Sequence, residues 1–228
     1  MVHDQDEMRT LCWIAAPVVL SLTLFLSLWT VNVRGQQAPP PPSTQAPPTR
    51  GDLLRGQYGR YRANHDLLFY HLDVRIDPEK KSIAGKNTIR FRMLADDTRI
   101  QLDLAANLTV DRAMLGTTPL KYERDLDTVY VDFPTTLRSG REYTIDFHYS
   151  GLPQEQGRFG GMAFRTDSAG HPWVTTACED EGARVWWPNK DQWRDEVERM
   201  QISVAVPSDL MDVSNGRFMG KTDLGDGY

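Results

Sequence analysis

FYHLDVRID, residues 69–77, places Tyr70, Leu72, Val74 and Ile76 on one parity and His71, Asp73 and Arg75 on the other. That period of two marks a strand with one face in a core and one in water. DPEKKS, 77–82, follows with turn chemistry, and KNTIRFRML, 86–94, then alternates Ile89, Phe91 and Met93 against Arg90 and Arg92. Together the two runs predict an antiparallel hairpin.

The same pattern continues outward. RIQLDL (99–104), LTVDRAML (108–115), TVYVDF (128–133), EYTIDFHYS (142–150), MAFRT (162–166) and MQISVAV (200–206) each read as a strand, parted by the turn signals RSG, DSAG and SNG. No window of helical periodicity longer than two turns precedes the acid-rich NKDQWRDEVERM, 189–200, and no internal repeat is evident. The expectation is an all-β fold, an antiparallel β-sandwich with polar outer faces.

Two segments precede that domain. Residues 11–31, LCWIAAPVVLSLTLFLSLWTV, carry no charge and are long enough to span a hydrocarbon core as a helix. Residues 1–34 are therefore expected to be a signal peptide or, preferably, an uncleaved signal anchor, because NVRGQQAPP offers no small-x-small cleavage pair. The leading MVHDQDEMRT is acidic, whereas a start at Met8 sets Arg9 where a signal carries its positive charge. By the positive-inside rule the N-terminus is then cytoplasmic and the rest periplasmic or at the cell surface. Residues 35–51 combine Pro with small polar residues and form a semi-rigid spacer; the β domain occupies 52–228.

Composition excludes several functions. The 228 residues carry 26 Lys+Arg against 31 Asp+Glu, a net charge of −5, with no basic run longer than a pair, so no nucleic-acid partner is expected. There are two cysteines, and Cys12 lies in the apolar run, so Cys178 has no partner for a disulfide within the domain. Neighbouring acids suppress its thiolate, which favours a small buried hydrophobe over a nucleophile. None of His3, His65, His71, His148 and His171 stand at i, i+4, and no metal site is expected in these residues. GRFMGKT, 216–222, has three residues between its glycines where a phosphate loop needs four, and reads as a turn. Asn107-Leu-Thr109 matches a glycosylation acceptor, a triplet common by chance.

Chemistry concentrates in TTACEDEGARVWWPNKDQW, 175–193. Four of the six Trp fall between Trp173 and Trp193, which points to a packed groove or interface. Its three consecutive acids are either a desolvated receptor for a substrate ammonium or a solvated turn with Arg184 as internal counter-ion. The residues alone leave both open.

This stretch, followed by MQISVAVPSDLMDVSNGRFMG, resembles the N-terminal domain of the aminopeptidase N family of gluzincin zinc metallopeptidases. The ordered set is Glu179, Gly182-Ala183-Arg184, Pro188-Asn-Lys-Asp191, Val206-Pro207 and Ser214-Asn215-Gly216. YHLDVRIDPEKKSIAGKNTIRF is similar to the family's opening hairpin, and GGMAFRTDSAGHPWVTTA to its strand before the motif, so the resemblance spans roughly residues 60–228. It implies a β-sandwich capping one side of an active site, with a residue that holds the free α-amine of a peptide. By motif position that residue is Glu179, with Ala177 standing where many members carry Gln. Trp193 after Asp191-Gln192 departs from the common Asp-x-Pro.

The resemblance also implies a catalytic domain as partner, with zinc bound by a His-Glu-x-x-His helix. Neither that helix nor a Gly-x-Met-Glu-Asn loop occurs in these residues, so zinc is expected only in a full-length protein. On this reading the chain is a truncated, membrane-anchored or exported part of a zinc aminopeptidase, inactive alone, with Glu179 receiving the substrate amine. Of the other acids, Asp180 and Glu181 are expected to form a solvated turn, and Trp186-Trp187 to pack beneath it. The alternative is a non-catalytic extracytoplasmic β-sandwich that binds or scaffolds, the Trp-rich stretch serving as its interface patch.

Overall fold

Strands β1 (His65–Asp77) and β2 (Ser82–Met93) form the expected hairpin, Asp77 opposite Ser82 and His65 opposite Met93. Tyr70, Leu72 and Val74 are buried on one strand and Ile89, Phe91 and Met93 on the other, with Ile76 packed at the margin. A bulge between Leu67 and Phe69 breaks the alternation and lets adjacent Leu67 and Leu68 both be buried. Asp77 closes the turn by accepting from the Lys80 backbone N–H at 3.0 Å.

The computed structural model describes residues 46–156, 159–179 and 181–228. The apolar run 11–31 and residues 35–45 of the spacer lie outside the described residues. Arg50 and Gly51, assigned above to the spacer, open helix α1 (Arg50–Gly56). Thr49 caps it: its hydroxyl accepts from Asp52 N–H at 3.2 Å while the Asp52 carboxylate receives the Thr49 N–H at 2.8 Å. Helix α2 (Arg60–Ala63) follows and leads directly into β1.

Beyond β2 come β3 (Asp97–Asp103), β4 (Leu108–Leu115), β5 (Thr118–Asp125), β6 (Thr128–Leu137) and β7 (Glu142–Gly151), then β8 (Glu155–Gln156), β9 (Gly160–Thr166), β10 (Pro172–Cys178) and β11 (Arg199–Ala205). Eight strands make one sheet in the order β11-β1-β2-β7-β4-β5-β6-β3, and β10-β9-β8 make a second. Buried side chains from β1 through β7 join a single apolar cluster with Met162 and Trp187. Faces so far apart in strand order meet in one core only if the large sheet curls around it. The described residues are mostly β, as expected, but not wholly antiparallel: β11 pairs with β1 in parallel, Leu72 opposite Ile202. A long connection from β10 brings β11 back in the direction of β1, which a hairpin turn could not do. The window 189–200 contains no helix; Lys190, Asp191 and Asp195 instead bond His65, Arg184 and the Leu67 N–H.

Candidate functional site

The stretch from β10 to β11 is tied to the curled sheet at successive points. Asn87 sits on the core face of β2, fully buried, and donates from Nδ2 to the Pro188 carbonyl at 2.8 Å. Asn189 makes a two-way backbone bridge to Asp103, at 2.7 and 3.1 Å, along the outer edge of β3. The Lys190 N–H donates to the Tyr70 hydroxyl at 3.0 Å. Residues 187–190 thus span from the β1–β2 side to the outer edge of β3, which they bridge at its last residue, Asp103. Trp187, 8% exposed, packs its ring edge-on to Tyr70 at 5.2 Å and joins the core. That is the packing expected of the Trp pair. Trp173 and Trp193, in contrast, stand 59% and 79% exposed, and Arg194 lies over the Trp193 ring.

Buried charge fixes the same stretch. The Lys190 ammonium, shielded from solvent, bonds Asp195, the His65 carbonyl at 2.7 Å and the Tyr58 hydroxyl at 3.3 Å. Burial lowers its pKa against the pull of Asp195. Arg62 on α2 is fully buried and bonds Asp103 at 2.5 Å, while the second oxygen of Asp103 receives the Asp191 N–H at 3.1 Å. Burial pushes the Asp103 carboxyl up to about 6, opposed by Arg62.

Arg184, in a short 3-10 turn, is the hub. Its guanidinium donates to Asp127 at 2.9 Å, Asp191 at 3.1 Å and Glu181 at 3.3 Å. Glu181 also receives Arg55 of α1 at 3.2 Å, so it is a half-buried, doubly paired carboxylate rather than the solvated acid expected. Sequence reasoning identified Arg184 as a counter-ion but missed Arg55, Asp127 and Asp191. Gly182 turns the chain at φ 78, where an added Cβ would fall 2.0 Å from an Asp191 carboxylate oxygen, so only Gly lets the acidic turn close on the hub. A cavity of about 290 Å³ between α1 and the sheet is walled by Arg55, Asp103, Asp127 and Arg184, all already paired.

Glu179 caps the end of β10. Its N–H donates to the Phe159 carbonyl at 3.1 Å and its carbonyl receives Glu181 N–H at 2.8 Å. The residue is exposed, and its carboxylate has no side-chain partner among the described residues. Ala177 lies two residues back, half-buried and opposite Gly161. At Gly161, φ 91, an added Cβ would meet the Gln154 carbonyl at 1.9 Å, so a bare backbone is needed to seat β9 against its neighbour. Asp180 lies outside the described residues.

The remaining candidates are dispersed. Cys178 is half-buried and burial raises its thiol pKa, consistent with a packed rather than nucleophilic sulfur. His71 Nε2 bonds Ser203 at 3.0 Å across the β1–β11 pair, and His171 pairs with Asp167 in a turn. Exposed Asn107 donates to the Leu152 carbonyl at 2.8 Å. Residues 216–222 are irregular, and no strand follows them among the described residues. No three His, Cys, Asp or Glu side chains among the described residues converge as a metal ion requires. The hub carboxylates face cations instead, so these residues do not fit a zinc site.

Residues 67–228 match the peptidase M1 N-terminal domain family. No curated protein matches. Among solved structures, the M1 zinc metallopeptidase from Deinococcus radiodurans is similar at a TM-score of 0.60 and 23% identity, over 72% of this chain and 37% of that one. A mutant of that enzyme bound to a Tyr-Ser-Ala substrate gives 0.60 at 22% identity, over 73% and 38%. At that identity the likeness is one of fold, and this chain spans just over a third of the length of those structures.

Proposed function

Because the chain belongs to the peptidase M1 N-terminal domain family, we propose that it is the substrate-amine-recognising β-sandwich portion of a membrane-anchored or exported zinc aminopeptidase. Residues 1–34 serve as signal or anchor and 35–49 as spacer, and the domain is extracytoplasmic. Zinc and the peptide-cleaving groups belong to a catalytic domain outside these residues, so the chain alone hydrolyses nothing. Its part is to fix where a peptide begins.

The observation that carries this reading is the state of Glu179. Its neighbour Glu181 is paired twice, yet Glu179 presents a carboxylate with no side-chain partner among the described residues, on a turn braced by Arg184. A braced acceptor of that kind suits an ammonium through a charge-assisted hydrogen bond. Ala177, two residues before it, offers no polar side chain.

The test is an NMR titration of the 228-residue chain with Tyr-Ser-Ala and with its N-acetyl form. The free amine shifts the amides around Glu179, the acetylated peptide does not, and Glu179→Gln abolishes the difference. Equal shifts from both peptides would dismiss the amine role. They would favour the second reading, a non-catalytic binding domain, which draws on the exposure of Trp173 and Trp193.

A further inference from the structure

The outer face of the large sheet carries one unusual row of charge. Lys86 on β2 stands directly opposite His148 on β7, and His148 directly opposite Arg112 on β4, with Asp73 of β1 beyond Lys86 at the end of the row. Three basic side chains thus lie abreast on adjacent strands, an arrangement that repels. Arg112 reaches this face only through the bulge between Val110 and Arg112. Val110 is buried, Asp111 and Arg112 are both exposed, and Ala113 is buried again, whereas strict alternation would turn Arg112 into the core. The acids nearby are held by hydroxyls. Thr88 donates to Asp146 at 2.6 Å, and Ser150 to Asp111 at 2.9 Å. Asp146 lies 3.8 Å from the Lys86 ammonium, and Arg75 on β1 is engaged by Asp226 at 2.8 Å. Ala84 and Ser150 in the next row are small, and beside them Lys86, His148 and Arg112 line a depression of about 470 Å³.

We propose that Lys86, His148 and Arg112 form a binding site for a tetrahedral oxyanion, a phosphate or sulfate group, seated over His148 between the two longer cations. Adjacent strands stand about 4.8 Å apart, so Lys86 and Arg112 spring from backbone about 10 Å apart, a span that their side chains close around one small anion. An ammonium and a guanidinium then donate charge-assisted hydrogen bonds from either side. Asp73, beyond Lys86, directs the anion toward Arg112. Burial, followed by the Arg112 charge, holds the His148 imidazole below its ordinary range; Lys86 acts in the same sense, while Asp146 and Asp111 oppose them. An anion seated here favours the imidazolium, so binding tightens as pH falls. The site shares no residue with the amine role of Glu179 and stands without it.

The full 228-residue chain in mild detergent is titrated with sodium sulfate, whose own charge does not change near neutral pH, while the His148 imidazole is followed by NMR. Sulfate is expected to raise the pH at which His148 takes up its proton, and the half-saturating concentration to fall about tenfold between about pH 7.5 and pH 5.5. Arg112→Gln is expected to weaken sulfate binding about tenfold, and Arg112→Lys to restore most of it. The urea midpoint of Arg112→Gln should stay level or rise, since a like-charge contact is removed. A His148 that ignores sulfate overturns the site, as does undiminished binding by Arg112→Gln. An equal response to sodium chloride at matched ionic strength reduces the effect to screening and overturns it too. Inorganic phosphate and methyl phosphate separate the sources of the anion. Equal binding of the two assigns the site to a phosphoryl group carried on a larger molecule, and binding of inorganic phosphate alone assigns it to the free ion.

Discussion

Replacing Arg184 with Met keeps the aliphatic stem in its packed position and withdraws the cation from three carboxylates. Their exposures decide the magnitude: Asp127 and Glu181 retain 35% and 33% of their side-chain surface, while Asp191 retains 17%. The first two relax into water and contribute little. Asp191 is left as an uncompensated, mostly buried charge, so R184M is expected to lose about 3 kcal/mol, the low end for breaking a buried pair. For a domain of this size that is a fall of about 6–12 °C in Tm. Urea unfolding followed by tryptophan fluorescence reads it, since Trp186 and Trp187 lie beside the hub. Burial already holds the Asp191 carboxyl above its ordinary range, with Arg184 pulling it down. Removing Arg184 raises it further, so the variant gains stability as pH falls and Asp191 takes up a proton, and loses it as pH rises through the raised value. The gap between wild type and variant must therefore be narrower at pH 4 than at pH 7. A stability within about 0.5 kcal/mol of wild type at pH 7, or a gap that widens on acidification, would refute the hub.

Two further substitutions probe neighbouring features. Gly182→Ala, at φ 78 and against Asp191, is expected to lose about 2 kcal/mol or more in the same urea assay; an unchanged midpoint would mean that the turn is not held where the geometry puts it. His65 is buried, its Nδ1 2.9 Å from Asn64 Oδ1 and its ring edge-on to Phe91, and burial followed by the Lys190 charge lowers its pKa well below the usual value. A lowered imidazole is neutral in the native state, so its contribution is present above about pH 6.5 and is lost as pH falls and the unfolded chain protonates. Wild type should lose about 1 kcal/mol more than His65→Phe between pH 6.5 and 5.5, and parallel pH profiles would count against this.

The β1–β2 hairpin and most other strands were readable because alternation acts through near neighbours and needs no partner. Strand β5 was not, since of Thr118–Asp125 only Leu120 is buried, and a single apolar residue sets no period. Helix α1 was overlooked although Thr49 and Asp52 have the spacing of a capping box; the adjoining prolines masked it. In the candidate site, the ordered motif marks Glu179 by position alone, and its end-of-strand turn on β10 is what the structure adds. The buried charges were not legible: Arg62, Lys190 and Asp103 belong to residue types whose default is the surface, and their burial depends on partners such as the Arg62–Asp103 pair, 41 residues apart. The parallel entry of β11 escaped for the same reason, since direction is set by the connection rather than by the strand's own residues.

The bridge from Asn189 to the end of β3 has a kinetic side. The bonds that tie Pro188, Asn189 and Lys190 to β1, β2, β3 and Tyr58 join residues between 86 and 132 positions apart. Closing a loop of that length costs on the order of 4 kcal/mol of chain entropy before any contact repays it. The local hairpins must therefore assemble first and the closure last, which places this domain among slow folders of high contact order. During synthesis from the N-terminus, β3 leaves the ribosome with the Asp103 end of its edge unpaired until Asn189 follows, so the nascent chain passes through an interval in which that end is open to chaperones or to another chain.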